Sequence, residues 1–425
     1  MSTWTPSSSS RSSPRCNASR PRTTTKASLP SRKSDDRSSA VSELAASRES
    51  FRAEVARFTA AEITPNATAW DQTDPDDSYP MQLFTRLGEL GWLGVGFNES
   101  LGGSGGGPVD RCILFEELAY GSAGAALGLY VHTALAAGAL ANIADRELGE
   151  RFVPGMLAGT TTGAWAYAEP DSGADVTQVR LAARRDGDSF VLNGSKMYIT
   201  NATFADVILV VVRTSGEPGK LGGLSVLAVD GNSEGLTRSS MHKLGMRPSE
   251  LAELHFENCV VPADRLVGEL DKGFRQCLAV LSQGRVFAGA LALGLGRAAL
   301  DTTIAHVGTR EQFGGPLAAK QVVRATIADM TTRLRTVRHL VYSAAEKLET
   351  GEDYDTDASI AKLVASETAT WVSERCLHLH GAQGFMLESP AQRFYRDCKI
   401  NEWGEGANEL QREMIFEAVS RGYRP

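Results

Sequence analysis

Apolar residues recur at helical spacing through the first third of the chain, switch to short continuous or alternating runs in the middle, and return to helical spacing near residue 273. From residue 41 the helical pattern is carried by Phe51, Val55 and Phe58; in 81–93, Leu83, Phe84, Leu87 and Leu90 share one face. The run NESLGGSGGG (98–107) predicts a loop, because that many glycines would cost a helix too much. Helices are expected over 109–120, 123–143 and 146–158. Strands are expected at 207–212 (VILVVV, a buried strand), 224–229 and 251–261, where Ala252, Leu254 and Phe256 fall on one side. Helices follow at 274–308, 321–350, 359–380 and 390–399, and a last one ends near Ser420. Gly314-Gly315-Pro316 and His380–Phe385 punctuate them. The pattern predicts an α+β chain: helical 41–160, a β domain at 161–270, and a helical bundle at 271–425.

The densest signals lie in 162–200, TGAWAYAEPDSGADVTQVRLAARRDGDSFVLNGSKMYIT. Small residues in 169–175 predict a loop whose N–H groups a ligand can approach. Asn193-Gly194 predicts a tight hairpin between strands 189–192 and 196–200. Tyr198 and Thr200, two apart on a strand, are then expected on one face, where a ring and a hydroxyl suit a flat heteroaromatic cofactor. The alternative is an ordinary surface hairpin.

Composition narrows the field. The 425 residues are enough for one large core or two to three domains, and a net charge of −7 gives no general affinity for nucleic acid. Six scattered cysteines without a CxxC pair suggest a reducing compartment, hence a cytoplasmic location, and neither zinc nor a disulfide framework. Residues 1–34 are rich in Ser, Thr, Arg and Pro and lack acids; 1–40 is expected to be disordered or targeting-like, and a transit peptide there would mean the mitochondrial matrix instead. No apolar run is long and charge-free enough for a convincing bilayer span. No metal is expected: His378 and His380 are two apart on a helix and face different ways. Glu405, between two glycines ahead of a helix, can project from its loop with little steric screening; alternatively it is an acid favoured by the helix dipole.

The motifs also carry a family resemblance. AYAEPDSGAD…NGSKMYIT resembles the flavin-binding segment of the acyl-CoA dehydrogenase family, usually close to TEPxAGSD followed by NGxKxWIT. LGELGWLGVGFNESLGGSGG with FEELAYGSAG, FENCVVPADRLVGELDKGF, TREQFGGPLAAKQ and GEGANELQR resemble further family segments, in order, over nearly all of 41–425. The resemblance implies an N-terminal helical domain, a β-barrel-like middle domain and a C-terminal four-helix bundle. It implies FAD, an acyl-thioester substrate, electron-transfer flavoprotein or another acceptor, and a homotetramer, or at least a dimer. By position it implies flavin contacts from Trp165, Tyr167, Ala168, Ala174, Tyr198 (for the usual Trp), Ile199 and Thr200. Arg310, Gln312, Phe313 and Gln321 match RxxFG…Q, and His378, Gly381 and Ala382 match the QIFGG loop; these reach a neighbouring subunit's cofactor. Ala407 and Glu409 continue the EGTxEIQR match, with Glu405 as the catalytic base, and Gly406 lies with the substrate; Glu409 and Asp397 are weaker candidates for the base.

Removing two hydrogens across Cα–Cβ of a thioester needs a carboxylate for the weakly acidic α-proton, and a desolvated Glu is a stronger base. The hydride acceptor has to be a cofactor, since side chains cannot take it. Departures from the family pattern gather at substrate positions: Ala174 stands for Ser, Ala168 for Thr, and Leu251 and Ala252 for Thr and Arg, while Glu250 keeps an acid. Fewer hydroxyl and cationic contacts fit a carrier-protein thioester or an unusual acyl group. The main expectation is an FAD-dependent acyl-thioester dehydrogenase. An oxidase or hydroxylase of the same fold, and a non-enzymatic scaffold, are the alternatives.

Overall fold

A computed structural model describes residues 32–73 and 79–424; the expectation for the N-terminal segment falls on residues outside these up to residue 31. The N-terminal part is helical: α1 (Arg32–Phe58), α2 (Ala67–Gln72), α3 (Gln82–Glu89), α4 (Pro108–Gly121), α5 (Ala123–Tyr130), α6 (Gly138–Asn142) and α7 (Arg146–Leu157). The spacing of Phe51 and Phe58 brings both rings edge-on to Trp92, at 6.0 and 5.1 Å. α5 and α6 form one unbroken helix through a π-helical turn, Val131–Ala137, which widens the helix beside the site described below. His132 in that turn is fully buried; its Nε2 meets Met156 O at 2.9 Å and its Nδ1 accepts Gly163 N at 3.0 Å, fixing the entry to the sheet.

The middle part is a seven-stranded sheet of β1 (Gly163–Ala166), β2 (Ala182–Asp186), β3 (Ser189–Thr200), β4 (Val207–Arg213), β5 (Leu224–Asp230), β6 (Leu236–Ser240) and β7 (Leu251–Pro262). Its order is β1-β4-β2-β3-β7-β6, with β5 also paired to β4. Every residue of β4 is buried, which is why its sequence is a continuous apolar run rather than an alternating one. The hairpin expected at Asn193-Gly194 is not there. β3 runs unbroken through both residues, and the chain turns instead at Gly187-Asp188, between the paired Asp186 and Ser189, with Gly187 at φ +58°. Asn193-Gly194 forms a bulge against β7: the register slips between Leu192 and Gly194, Gly194 takes φ +137°, and Asn193 Oδ1 accepts Asn258 N at 2.9 Å. The backbone freedom that suits a turn serves a bulge equally well.

The C-terminal part comprises α8 (Gly273–Thr309), α9 (Gln321–Thr350), α10 (Asp355–His380), α11 (Pro390–Asp397), α12 (Ile400–Trp403) and α13 (Asn408–Ser420), with α8, α9, α10 and α13 packed as a bundle. α4 lies against α8 so closely that a Cβ on Gly294 would sit 2.1 Å from Glu116 O. Glu116, fully buried on α4, meets Arg52 of α1 at 3.0 Å, Arg297 of α8 at 2.8 Å, and Arg338 and the Tyr342 hydroxyl of α9. Contrary to the expectation from sequence, Ala123–Asn142 and Gly273–Thr309 are long and apolar enough for a bilayer; both are mostly buried inside the protein, and core burial accounts for their composition.

Candidate active site

Glu405 lies in the loop between α12 and α13 at φ +56°, an uncommon backbone state outside glycine that the surroundings must enforce. Lys362 of α10 does much of this. Its buried Nζ donates to Glu402 O (3.2 Å), Gly406 O (2.7 Å) and Asn408 Oδ1 (2.9 Å). Gln411 Nε2 adds bonds to Glu405 O (3.3 Å) and Gly406 O (3.1 Å). The Glu405 Oε2 atom is buried and has no hydrogen-bond partner among the described residues. A Cβ on Gly284 of α8 would come within 2.7 Å of it, so the bare backbone at 284 makes the carboxylate's seat. The same Cβ would lie 2.8 Å from the Tyr130 hydroxyl, which donates to Gly284 O at 3.3 Å. Burial pushes the Glu405 carboxyl above its ordinary value, against the pull of Tyr130, Arg285 and Lys362. Burial likewise raises the Tyr130 hydroxyl and keeps it neutral, and it pushes the Lys362 ammonium down to about 8. The result is a carboxylate of enhanced basicity beside the hydroxyl of Tyr130, whose ring packs edge-on against Phe115.

The alternative bases are elsewhere. Asp397, pushed up to about 6 by burial, accepts Met246 N at 2.5 Å and ties α11 to the loop before β7. Glu409 is exposed on the first turn of α13.

The loop after β1 is built on a buried ion pair. Lys196 Nζ, fully buried on β3, donates to Glu169 Oε1 and to Tyr167 O, both at 2.9 Å. The Glu169 carboxylate also accepts Arg180 N (2.7 Å) and Leu181 N (3.0 Å), and Ala168 O accepts Met197 N (3.0 Å). Trp165, Tyr167 and Ala168 are thereby fixed at the root of the loop, and Ala174 is exposed near its tip. Tyr198 is 59% exposed at φ +63°, where the register slips between Lys196 and Ile199. This second bulge breaks the strand alternation, so the same-face argument for Tyr198 and half-buried Thr200 fails. Ile199 is buried in the sheet core, which leaves only its backbone for a ligand. The exposed Tyr198 ring, the small-residue loop and the buried, unpartnered Nε1 of Trp165 fit a flat heteroaromatic group such as a flavin.

A cavity of about 330 Å³ opens beside this region, lined by Gln72, Thr73, His242, Lys243, Glu250 and Leu251 among others. Ala252 does not reach it: on β7 it is fully buried in the sheet core opposite Ile199, a correction that follows from strand alternation. Gly406, at φ +87°, follows Glu405 directly, and Ala407 caps α13.

Arg310, Gln312, Phe313, Gln321, His378, Gly381 and Ala382 are all exposed, and Phe313 is 93% so at φ +52°. The ends of α8 and α10 that carry most of them are joined by His306 stacked on His380 at 4.1 Å. From Lys362, at the Glu405 loop, to His380 is eighteen residues of α10, roughly 27 Å at 1.5 Å per residue. One chain therefore does not bring this group to its own Glu405. Tyr130, Gly284, Arg285, Lys362 and the Lys196–Glu169 pairing were not singled out from sequence. Only the lone lysine in the small-residue helix SIAKLVASETA was a signal that could have been followed.

The profiles for the acyl-CoA dehydrogenase N-terminal, middle and C-terminal domains match residues 45–160, 164–259 and 271–420. The chain is 35% identical to the probable acyl-CoA dehydrogenase YngJ of Bacillus subtilis (strain 168), over 88% of this chain and 98% of that protein. Butyryl-CoA dehydrogenase from Megasphaera elsdenii superimposes with a TM-score of 0.84 at 32% identity, covering 88% of this chain and 98% of that one. A glutaryl-CoA dehydrogenase from Mycobacterium smegmatis, solved in complex with FADH2, gives 0.83 at 28% identity, covering 89% and 95%. Domain order, sheet and bundle, and similarity to the family's three domains between residues 45 and 420 lead to one conclusion: this chain belongs to the acyl-CoA dehydrogenase family, FAD-dependent oxidoreductases acting on CH–CH groups.

Proposed function

We infer that the chain introduces a Cα–Cβ double bond into an acyl thioester, with Glu405 taking the α-proton. The observation that carries this reading is the Glu405 carboxyl, raised in pKa by burial, with its buried Oε2 seated against Gly284 beside the Tyr130 hydroxyl. Lys362 holds the loop, and the strained backbone aims the carboxylate. FAD, when bound, supplies the hydride acceptor. Trp165, Tyr167, Ala168, Tyr198 and Thr200 would hold its flavin end. The exposed Arg310, Gln312, Phe313 and His378 would hold the far end of a neighbouring subunit's FAD, so the working unit is at least a dimer. Glu250 and Leu251, which line the cavity of about 330 Å³, would meet the thioester arm. Electron-transfer flavoprotein is the expected acceptor, and a reducing cytoplasm the expected location.

The absence of hydroxyl and cationic side chains at Ala174 and Leu251 favours a second source of substrate, a carrier-protein thioester. An anaerobic visible spectrum, taken before and after a panel of acyl-CoA esters, separates the two: bleaching of the oxidised flavin band identifies a CoA ester, and a persistent band directs the search to carrier-bound acyl groups. Glu405→Gln should retain FAD and lose substrate-driven bleaching. Full turnover by that variant would remove Glu405 from the role of base.

A further inference from the structure

Arg111 of α4 is 6% exposed, and no carboxylate pairs with it among the described residues. Among the described residues its guanidinium makes one hydrogen bond, from Nη2 to Thr133 O at 3.2 Å. Two other buried arginines are far better supplied: Arg213 donates to the carbonyls of Val179, Thr177, Ser215 and Gly222, and Arg265 pairs with Asp230 at 2.8 Å. The Arg111 guanidinium is instead held between rings, 4.5 Å from the Phe97 centroid and 5.1 Å from that of Phe287. Its stem passes over Gly96, where a Cβ would come within 2.6 Å of Arg111 Cδ. Burial lowers its pKa to about 10, so the cation persists at neutral pH.

This guanidinium faces a cavity of about 200 Å³, larger than the roughly 150 Å³ that holds a benzene-sized ligand. Two aromatic rings line it, and Gln283 and Asn142 add amides; Asn98 and Asn142 are exposed at its rim. A buried cation with spare planar donors, amides beside it and an apolar wall is matched by a small carboxylate, which accepts two parallel N–H bonds.

We propose that this cavity binds a small carboxylate through Arg111. The acid comes either free from solution, through the Asn98–Asn142 rim, or as the far end of an acyl group. The second source rests on the dehydrogenase reading: Phe115 links Phe287 in the cavity wall to Tyr130 beside Glu405, through ring contacts of 5.8 and 5.6 Å.

The test is calorimetric titration of the full, flavin-loaded protein with acetate, succinate and glutarate against chloride at equal ionic strength. At least one acid should bind the wild type. Arg111→Met should weaken it by about tenfold or more, and Arg111→Lys by less. Ala141→Phe, which fills the cavity and leaves the arginine, should also abolish binding, and it covers the case in which Arg111→Met does not fold. A wild type that binds none of the acids, or Arg111→Met binding as tightly as wild type, overturns the proposal. To tell the sources apart, kcat/KM for ω-carboxylated and methyl-ended acyl-CoA esters of equal length is compared. A fall in that ratio on Arg111→Met identifies the acyl-borne acid, and an unmoved ratio with free-acid binding intact in the wild type identifies the free one. Calorimetry needs no turnover, so failure of the dehydrogenase reading stays separate.

Discussion

At the scale of single residues, Glu405 is the proposed base. Glu405, its flanking glycines and the helix after them lie within one motif, so a short sequence window contains the signal. Its seat comes from Gly284, Tyr130 and Lys362, on three different helices, and no local pattern announces that they meet. Two outcomes follow. Because burial raises the Glu405 pKa and only the ionised form accepts a proton, kcat/KM should rise with pH along a limb above the ordinary glutamate value of about 4.3, read from initial rates across pH. The sign for stability is opposite: whatever Glu405 contributes to folding is fully present below its unfolded-state pKa and is lost as pH rises through the raised folded value. Gly284→Ala puts a methyl where the Glu405 carboxylate sits. It should lower kcat by about a hundredfold, the penalty for a misplaced catalytic group, while flavin content measured from the visible spectrum stays near that of the wild type.

At the scale of elements, the long helices match their expected spans to within a few residues, and β3 departs from the expected hairpin. A helix of the α9 kind is specified by a periodic apolar face and a terminal glycine, both local; here Gly351 closes it at φ +74°. β3 instead contains two bulges, whose positions depend on the strand it pairs with. What the two bulges flank is Lys196, whose ammonium, pushed down to about 8 by burial, still finds Glu169. Lys196→Met leaves that carboxylate buried and uncompensated by charge. It should cost about 3–5 kcal/mol in urea unfolding and release FAD from purified protein, because the loop after β1 loses its anchor. A variant as stable and as yellow as the wild type would show that the pair does not support the loop.

At the scale of the whole molecule, surface exposure carries the information. Phe313, Val322, Phe385, Met386 and Leu387 are exposed large apolar side chains on the turn after α8, the start of α9 and the segment beyond α10. Several neighbour the residues expected to reach another subunit's cofactor, and grouped apolar exposure marks an interaction surface. Phe313→Asp should therefore shift the mass measured by light scattering toward smaller species and weaken FAD retention together. Loss of neither would place the subunit interface elsewhere.

The sequence by itself determined the three-part α+β order, most of the helices, the buried strands β4 and β5 and the candidate base, because each rests on a periodicity or motif a few residues wide. Only the tertiary structure decided that Asn193-Gly194 is a bulge, that Ala252 and Ile199 point into the sheet core, and that Glu405 sits against Gly284 beneath Tyr130. It also decided that Arg111 is a buried cation with no carboxylate paired to it among the described residues. The reason is physical: register, facing and desolvation depend on which distant segments pack together, and that packing is a property of the folded chain as a whole.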